Sequence, residues 1–343
     1  MGKFRFKQIV NNILKYIIPL LIGGGLFYFL YKNVNTEQLL ECMRTNVNYS
    51  WIALALLISI FSHIFRALRW RLQLRALGVN PPLGVIIVSI FGTYAVNLIF
   101  PRLGELWRTG YIANHERASF TNIFGSMVAD RLTDTISVLC ITLVTFLLAQ
   151  GAFIRFLDTY PNTKDMLWNI LVSPLFWIVV VAGIAIITYL FISKSQNKVI
   201  QKIQEIVRNL WQGFGVVLKM KGRGWFLLFT ILIWGCYFTQ LYVSFFAFEF
   251  TKDLGIVAAL VLFTLSSISM GVPTNGGLGA WHIAIIFGLS LYGVGGTFSP
   301  QGEFDVQATT FAMVVWGAQT MLLIALGIYS YIYIMLDKSK KRE

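Results

Sequence analysis

Pro101-Arg102-Leu103-Gly104-Glu105-Leu106-Trp107 breaks one apolar run, and Pro273-Thr274-Asn275-Gly276-Gly277-Leu278-Gly279 breaks another. Both read Pro-x-x-Gly-x-Leu, and they lie 172 residues apart (273 − 101). Each follows a long apolar stretch, 83–100 and 254–270, and precedes a shorter, half-polar helical one. Irregular backbone at membrane depth survives only where protein buries it or a wet cavity receives it. Two breaks at matching positions of two halves point towards a transport site.

Composition sets the class around these motifs. Hydrophobic residues make up 57% of the chain and charged ones 13%, with a mean hydropathy of +0.69. Apolar runs recur along all of 1–343 and leave no stretch for a separate soluble catalytic domain, so the chain reads as one polytopic membrane unit. The net charge of +13 suits an inner leaflet rich in anionic lipid. It is too dispersed among apolar segments to suggest nucleic acid. Cys42, Cys140 and Cys236 show no metal-ligand spacing, and their odd number argues against a disulfide framework.

A spanning helix needs about 20 mostly apolar residues. The candidates are 13–31, 51–68, 83–100, 123–149, 171–193, 225–249, 254–270 and 308–336. Basic residues cluster in the N-terminal segment, in 69–82 with Arg66 just before it, in 194–224 and in the tail, so these are expected on the cytoplasmic side. The 32–50 and 150–170 loops and the acidic 294–307 segment are expected outside. Three apolar runs then separate two cytoplasmic segments, where an even number of crossings is required. The broken segment 83–120 resolves the conflict by entering and leaving from the cytoplasm. By the same parity, 254–293 enters and leaves from outside.

The expected fold is an all-α polytopic membrane protein with an inverted-topology repeat, two broken re-entrant hairpins and both termini cytoplasmic. Its repeats are 51–149 and 225–336, preceded by the helix 13–31 and joined by 171–224. Within that connector Val199, Ile203, Ile206, Leu210, Phe214 and Val217 recur at helical spacing, as in an amphipathic helix lying on the inner leaflet.

Charge near apolar stretches is costly and is expected to be paired or functional. The first break carries Arg102, Glu105 and Arg108. Asp130, Arg131 and Asp134 follow near the start of the next long helix. Three positive charges balance three negative ones. Either these six form a salt-bridge cluster pinning the hairpin, or some of them are shared with a bound headgroup. Arg102 and Arg108 favour the second reading, since guanidinium matches phosphate bidentately. Asn97 adds polarity beside them. The second break holds no acid or base. It offers Pro273, Asn275, His282 and the glycines Gly276, Gly277 and Gly279. Half-helices starting after Gly104 and Gly279 would aim free N–H groups into the membrane, an anion-binding arrangement. The glycines equally suit tight helix packing, and His282 equally suits a structural donor.

No phosphate loop, Gly-x-Ser-x-Gly or paired His/Cys ligand set occurs, so neither a cofactor nor a metal is expected. Arg131 between Asp130 and Asp134 argues against a metal there.

Asn97-Leu98-Ile99-Phe100-Pro101-Arg102-Leu103-Gly104-Glu105 with Arg108, Arg66-Ala67-Leu68-Arg69-Trp70, Asp130-Arg131-x-x-Asp134 and Pro273-Thr274-Asn275-Gly276-Gly277-Leu278-Gly279 together resemble the lysylphosphatidylglycerol synthase transmembrane-region family of flippase-like membrane proteins. Many members carry an acidic residue where His282 stands. The resemblance implies a polytopic module that some members fuse to a soluble aminoacyl-transferase domain. No counterpart of that domain is found in this sequence. It also implies movement of lipids between leaflets.

The expectation is a lipid translocator of a bacterial-type cytoplasmic membrane, handling an anionic phospholipid or a lipid-linked phosphate headgroup. Arg102 and Arg108 would neutralise phosphate, with Glu105 and Asp130 holding them. The rivals are a membrane-embedded transferase using a lipid-linked donor, and a non-catalytic membrane partner of a lipid-modifying enzyme.

Overall fold

A long helix, two short helices and a second long helix occur in succession twice along the chain. In the computed structural model the described residues are 34–159, 172–192, 222–295 and 305–340, together with 21, 24–28, 32, 165, 168–169 and 201. Helix α1 spans Thr36–Thr45, α2 Tyr49–Ala76, α3 Leu83–Ile99, α4 Gly104–His115, α5 Phe120–Leu148, α6 Gln150–Thr159 and α7 Pro174–Ile192. Then come α8 over Arg223–Phe245, α9 over Gly255–Ser269, a 3₁₀ turn over Asn275–Gly277, α10 over Ala280–Ser290 and α11 over Val306–Lys340. Regular structure among the described residues is helical, apart from one isolated antiparallel bridge between Val47 and Phe248.

Four of these helices, α2, α5, α8 and α11, are long and apolar enough to cross a membrane. The protein is therefore a polytopic, all-helical membrane protein. The expected helix 13–31 lies outside the described residues except for Leu21 and 24–28, which are helical. The amphipathic segment 199–217 lies outside them except for Gln201.

Local chemistry explains the helix starts. The Asn35 side chain accepts from the amides of Glu37 and Gln38 at 3.0 and 3.2 Å, and Asn48 accepts from Ser50 at 3.1 Å. Such caps satisfy amides that have no partner inside the helix. Asp305 does the same for Gln307 and Ala308 at the head of α11. Two helices, α1 and α6, occupy stretches expected to be loops. Each has only ten residues, too short to register as a membrane span.

One boundary moves for a reason that bears on function. The second helix was expected to end at 68, with Arg69, Arg71 and Arg75 in a cytoplasmic loop. Helix α2 instead runs to Ala76, and Arg66 and Arg69 are buried at 3% and 0% exposure. They stay inside because carboxylates on α5 receive them. Arg71 and Arg75 remain on the more exposed side.

Lipid tails are as apolar as leucine, so helix association here rests on close packing and polar contacts. Helix α2 runs antiparallel to α8, with the start of one bonded to the end of the other through the Asn48 amide and the Ala247 carbonyl at 2.8 Å. Helix α3 packs antiparallel on the later part of α11, where Ser330 Oγ donates to the Val88 carbonyl at 2.9 Å. Helix α10 packs on the earlier part of α11, and α9 on α10. Helix α5 likewise touches both pairs, α4 through Arg131–Glu105 and α9 through Thr145–Thr264. The pair α3/α4 and the pair α9/α10 thus meet end to end, flanked by α5 and α11. A core of Trp70, Leu74, Ile86, Ile90, Ile112 and Ile123 holds the first pair. Phe245, Phe248, Phe311, Leu262 and Ile285 belong to the core of the second.

Candidate functional site at the joined helix breaks

The two breaks touch, and each one finishes the helix that enters the other. Pro101 has no N–H to offer, and Phe100 turns to φ −125°, so α3 ends with orphan carbonyls. Asn275 Nδ2 donates to two of them, Leu98 O at 3.2 Å and Ile99 O at 2.9 Å. In return Arg102, held at φ +62°, donates from Nη2 to Gly271 O at 2.5 Å, just past the end of α9. A cation at a helix C-terminus also complements its dipole.

Gly276 sits at φ +58° with its missing side chain facing Leu98. A Cβ there would lie 2.6 Å from Leu98 Cδ2. Trp316 Nε1 of α11 donates to the Gly276 carbonyl at 2.9 Å. Pro273 precedes the extended Thr274, and Gly277 (φ +80°) and Gly279 (φ +78°) complete the turn into α10. His282 is fully buried, enclosed by the rings of Phe27, Trp281 and Trp316 at 5.7, 5.8 and 5.0 Å.

Removing the Asn275 amide would strand two carbonyls between the hairpins. Asn275→Ala is expected to cost about 1–3 kcal/mol in denaturation of the detergent-solubilised protein. Asn275→Asp, which keeps the size but loses the donor, should cost at least as much. A parental midpoint for both variants would show that the hairpins are joined by other contacts.

Asn97 ties the first break to a set of charges. Its Oδ1 accepts from the Gly104 amide at 2.8 Å, and its Nδ2 donates to both Glu105 oxygens at 3.3 and 3.2 Å. Glu105 receives Arg131 Nη2 at 2.7 Å, and Arg131 Nη1 reaches Asp134 at 3.6 Å. Asp134 accepts from Arg66 at 2.6 Å and from Arg69 at 2.7 Å. Asp130 accepts from Arg69 at 2.7 Å and lies 3.5 Å from Arg66. Arg69 Nη1 also reaches Thr230 of α8 at 3.3 Å.

Arg108 closes the series differently. Its nearest carboxylate oxygen, on Asp130, is 3.9 Å away, and its guanidinium lies over the Trp70 ring at 4.1 Å. It is 0% exposed, yet Nε, Nη1 and Nη2 make no hydrogen bond among the described residues.

This arrangement revises the expected partnerships. Arg102 stands outside the cluster, on the exposed side, as a tie to the second break. Glu105 holds Arg131 rather than Arg102 or Arg108. Arg66 and Arg69, read from sequence as topology signals, are central members. The expected balance of three against three therefore becomes four guanidinium groups, Arg66, Arg69, Arg108 and Arg131, against three carboxylates, Glu105, Asp130 and Asp134. Among the described residues one positive charge is in excess. The cluster does not include Asn275 or the glycines of the second break, and His282 faces an aromatic cage. No set of three or more His, Cys, Asp or Glu gathers as a metal site among the described residues. Spacing could have found the missed pair: Arg66, Arg69 and Gln73 share a face of α2 with Ser59, Ser62 and His63, an all-buried polar seam in an apolar helix.

The model of the lysylphosphatidylglycerol synthase TM region matches residues 16–327, nearly the whole chain. The chain belongs to this family. Among similar proteins, a UPF0104 membrane protein of Pyrococcus horikoshii is 24% identical, with 67% of this chain and 73% of the relative covered. A UPF0104 membrane protein of Methanocaldococcus jannaschii is 22% identical, with 82% and 87% covered. Both are archaeal, so they lend no support to the bacterial membrane expected from sequence. No solved structure matches.

Proposed function

We propose that this member of the family is a lipid translocator for a phosphate-bearing or otherwise anionic headgroup. The observation that carries the proposal is Arg108: a fully buried guanidinium with no hydrogen bond among the described residues, in a cluster that holds one more cation than anion among them. Buried charge is normally paired and bonded, and intramembrane charge marks substrate pathways. An anion delivered to Arg108 would supply both the missing charge and the missing acceptors. Guanidinium and phosphate match bidentately.

In this reading the two short-helix pairs are re-entrant hairpins of an inverted repeat, entering from opposite leaflets, with both termini cytoplasmic. The long–short–short–long order of α2–α5 and of α8–α11 supports it, as does the mutual capping of the two breaks. The headgroup would pass between the hairpins while the acyl chains stay in lipid. Separation of the breaks, held by Asn275 and Arg102, would open the path. The transferase reading lacks an equivalent observation, since Glu105, Asp130 and Asp134 each already accept from arginine.

Purified protein in liposomes, with acyl-chain-labelled anionic phospholipid and a membrane-impermeant quencher, tests the proposal. Arg108→Gln is expected to slow translocation about tenfold or more, the loss of a charged hydrogen bond of about 1.5–3 kcal/mol. Its melting midpoint should hold or rise, because a buried charge that makes no hydrogen bond among the described residues, and only a 3.9 Å ion pair, is removed. Parental transport by Arg108→Gln would remove the basis of the site.

A further inference from the structure

Resting on the translocator reading, we infer that the headgroup accepted here is a singly charged phosphodiester carrying neutral hydroxyl groups, and that amine-bearing headgroups are disfavoured.

The charge count is the first argument. Among the described residues four guanidinium groups face three carboxylates, so one negative charge neutralises the cluster. A headgroup that is neutral overall or cationic leaves the excess in place.

The second argument is the state of the carboxylates. An ammonium group needs an acceptor with lone pairs to spare. Asp130 takes Arg69 and Arg66, Asp134 takes Arg66, Arg69 and Arg131, and Glu105 takes Arg131 and Asn97. An amine entering this cluster would meet four cations and no unoccupied anion. At short range in a poorly solvated site such like-charge contact is strongly unfavourable.

The third argument is what adjoins the arginines. Arg66 Nη2 reaches Tyr237 Oη at 3.5 Å, which lies 3.1 Å from Tyr94 Oη. The Tyr94 ring packs on His63 with centroids 4.5 Å apart, and His63 Nε2 is 3.5 Å from Ser59 Oγ. Gln319 Nε2 donates to Ser59 Oγ at 2.9 Å, and Gln319 Oε1 accepts from Gln240 Nε2 at 2.7 Å. The series joins α2, α3, α8 and α11 without a carboxylate. Tyr94, Tyr237, Gln240 and Gln319 are only half-buried, although they lie within the membrane helices. His63 is 2% exposed, and its Nδ1 has no partner among the described residues. Hydroxyl, amide and imidazole groups both donate and accept, as hydroxyl-bearing headgroups such as glycerol or inositol require. The geometry thus offers a phosphate place at Arg108 and a hydroxyl place along this series, which starts at Arg66.

The test uses the full chain in phosphatidylcholine vesicles with four acyl-labelled lipids: phosphatidylglycerol, phosphatidylinositol, phosphatidylethanolamine and lysylphosphatidylglycerol. Phosphatidylglycerol and phosphatidylinositol should cross about tenfold or more faster than the two amine-bearing lipids, as about 1.4 kcal/mol of discrimination gives. Equal or faster movement of the amine-bearing lipids overturns this inference and leaves the translocator reading standing. Failure to move any of the four overturns both.

Phosphatidylmethanol, a phosphodiester without hydroxyls, isolates the second half of the inference. Gln319→Leu should abolish the advantage of phosphatidylglycerol over phosphatidylmethanol. An unchanged ratio in Gln319→Leu, and likewise in Gln240→Leu, overturns the hydroxyl assignment.

Discussion

Asp130→Asn is expected to destabilise the protein by about 3–5 kcal/mol, the range found when one partner of a buried ion pair is removed. Asp130 is 0% exposed and takes the guanidinium of Arg69 at 2.7 Å, with Arg66 at 3.5 Å and Arg108 at 3.9 Å. Asparagine keeps the shape and removes the charge, leaving the buried Arg66, Arg69 and Arg108 and the half-exposed Arg131 against two anions. Asp134→Asn should cost less, because the Asp134 side chain retains 12% exposure and some access to water. The clean measurement is a double-mutant cycle with Arg69→Gln, read by equilibrium denaturation in detergent. The double variant should recover part of the loss, with a coupling of about 0.5–3 kcal/mol. An Asp130→Asn loss no larger than that of a surface substitution, about 0.5 kcal/mol, would mean that water already solvates the cluster, and the missing hydrogen bonds of Arg108 would lose their meaning.

Much of the fold was legible because membrane crossing writes itself in long apolar runs. The runs 123–149, 225–249 and 308–336 correspond to α5, α8 and α11 within a few residues. The breaks at Pro101 and Pro273 were legible because proline and glycine act on the backbone locally. The seam of α2 marks Arg66 and Arg69 as a buried face, but what the sequence does not display is which partner each charge takes. Arg66 and Arg69 obey the same positive-inside pattern as Arg71 and Arg75, yet only the first pair has aspartates waiting across α5. Partner choice depends on the rotation of α2 against α5, and no local pattern encodes it. Arg102 lies apart from the other arginines for the same reason. Its residue type suits phosphate, but its left-handed backbone turns the side chain towards Gly271. Glu105 and Arg108, three residues apart on α4, were expected to pair. Asn97 and Arg131 take Glu105 instead, and Arg108 is left over Trp70. The neutral series from Tyr237 to Gln240 draws one or two polar residues from each of four helices. Each is unremarkable in its own apolar run.

The closest backbone approach in the candidate site makes Gly104→Ala the other large effect. Gly104 opens α4 directly against α3. A Cβ there would lie 2.1 Å from Thr93 O, 2.8 Å from Asn97 Oδ1 and 2.9 Å from the Thr93 carbonyl carbon. Heavy-atom contacts of a real Cβ essentially never fall below 3.0 Å, so the hairpin must widen by about 0.9 Å (3.0 − 2.1) at a point where the opposing atoms are backbone. Overpacking of this kind costs about 1–3 kcal/mol and sometimes more. The damage would also travel, because the displaced Asn97 caps Gly104 and anchors Glu105, which in turn holds Arg131. Gly104→Ala should therefore lower both the melting midpoint and lipid translocation. Gly92→Ala should cost less. Its new Cβ meets the side chain of Trp107 at 2.3 Å, and a side chain can turn where a backbone carbonyl cannot. Gly125→Ala, on an exposed face of α5 with nothing within 4 Å, should be neutral or stabilising by about 0.5–1 kcal/mol through helix propensity. The order Gly104, Gly92, Gly125 is the quantity to measure. A Gly104→Ala protein that melts and transports like its parent would mean that α3 and α4 are not held at this distance, and the path from the break to the arginines would have to be redrawn.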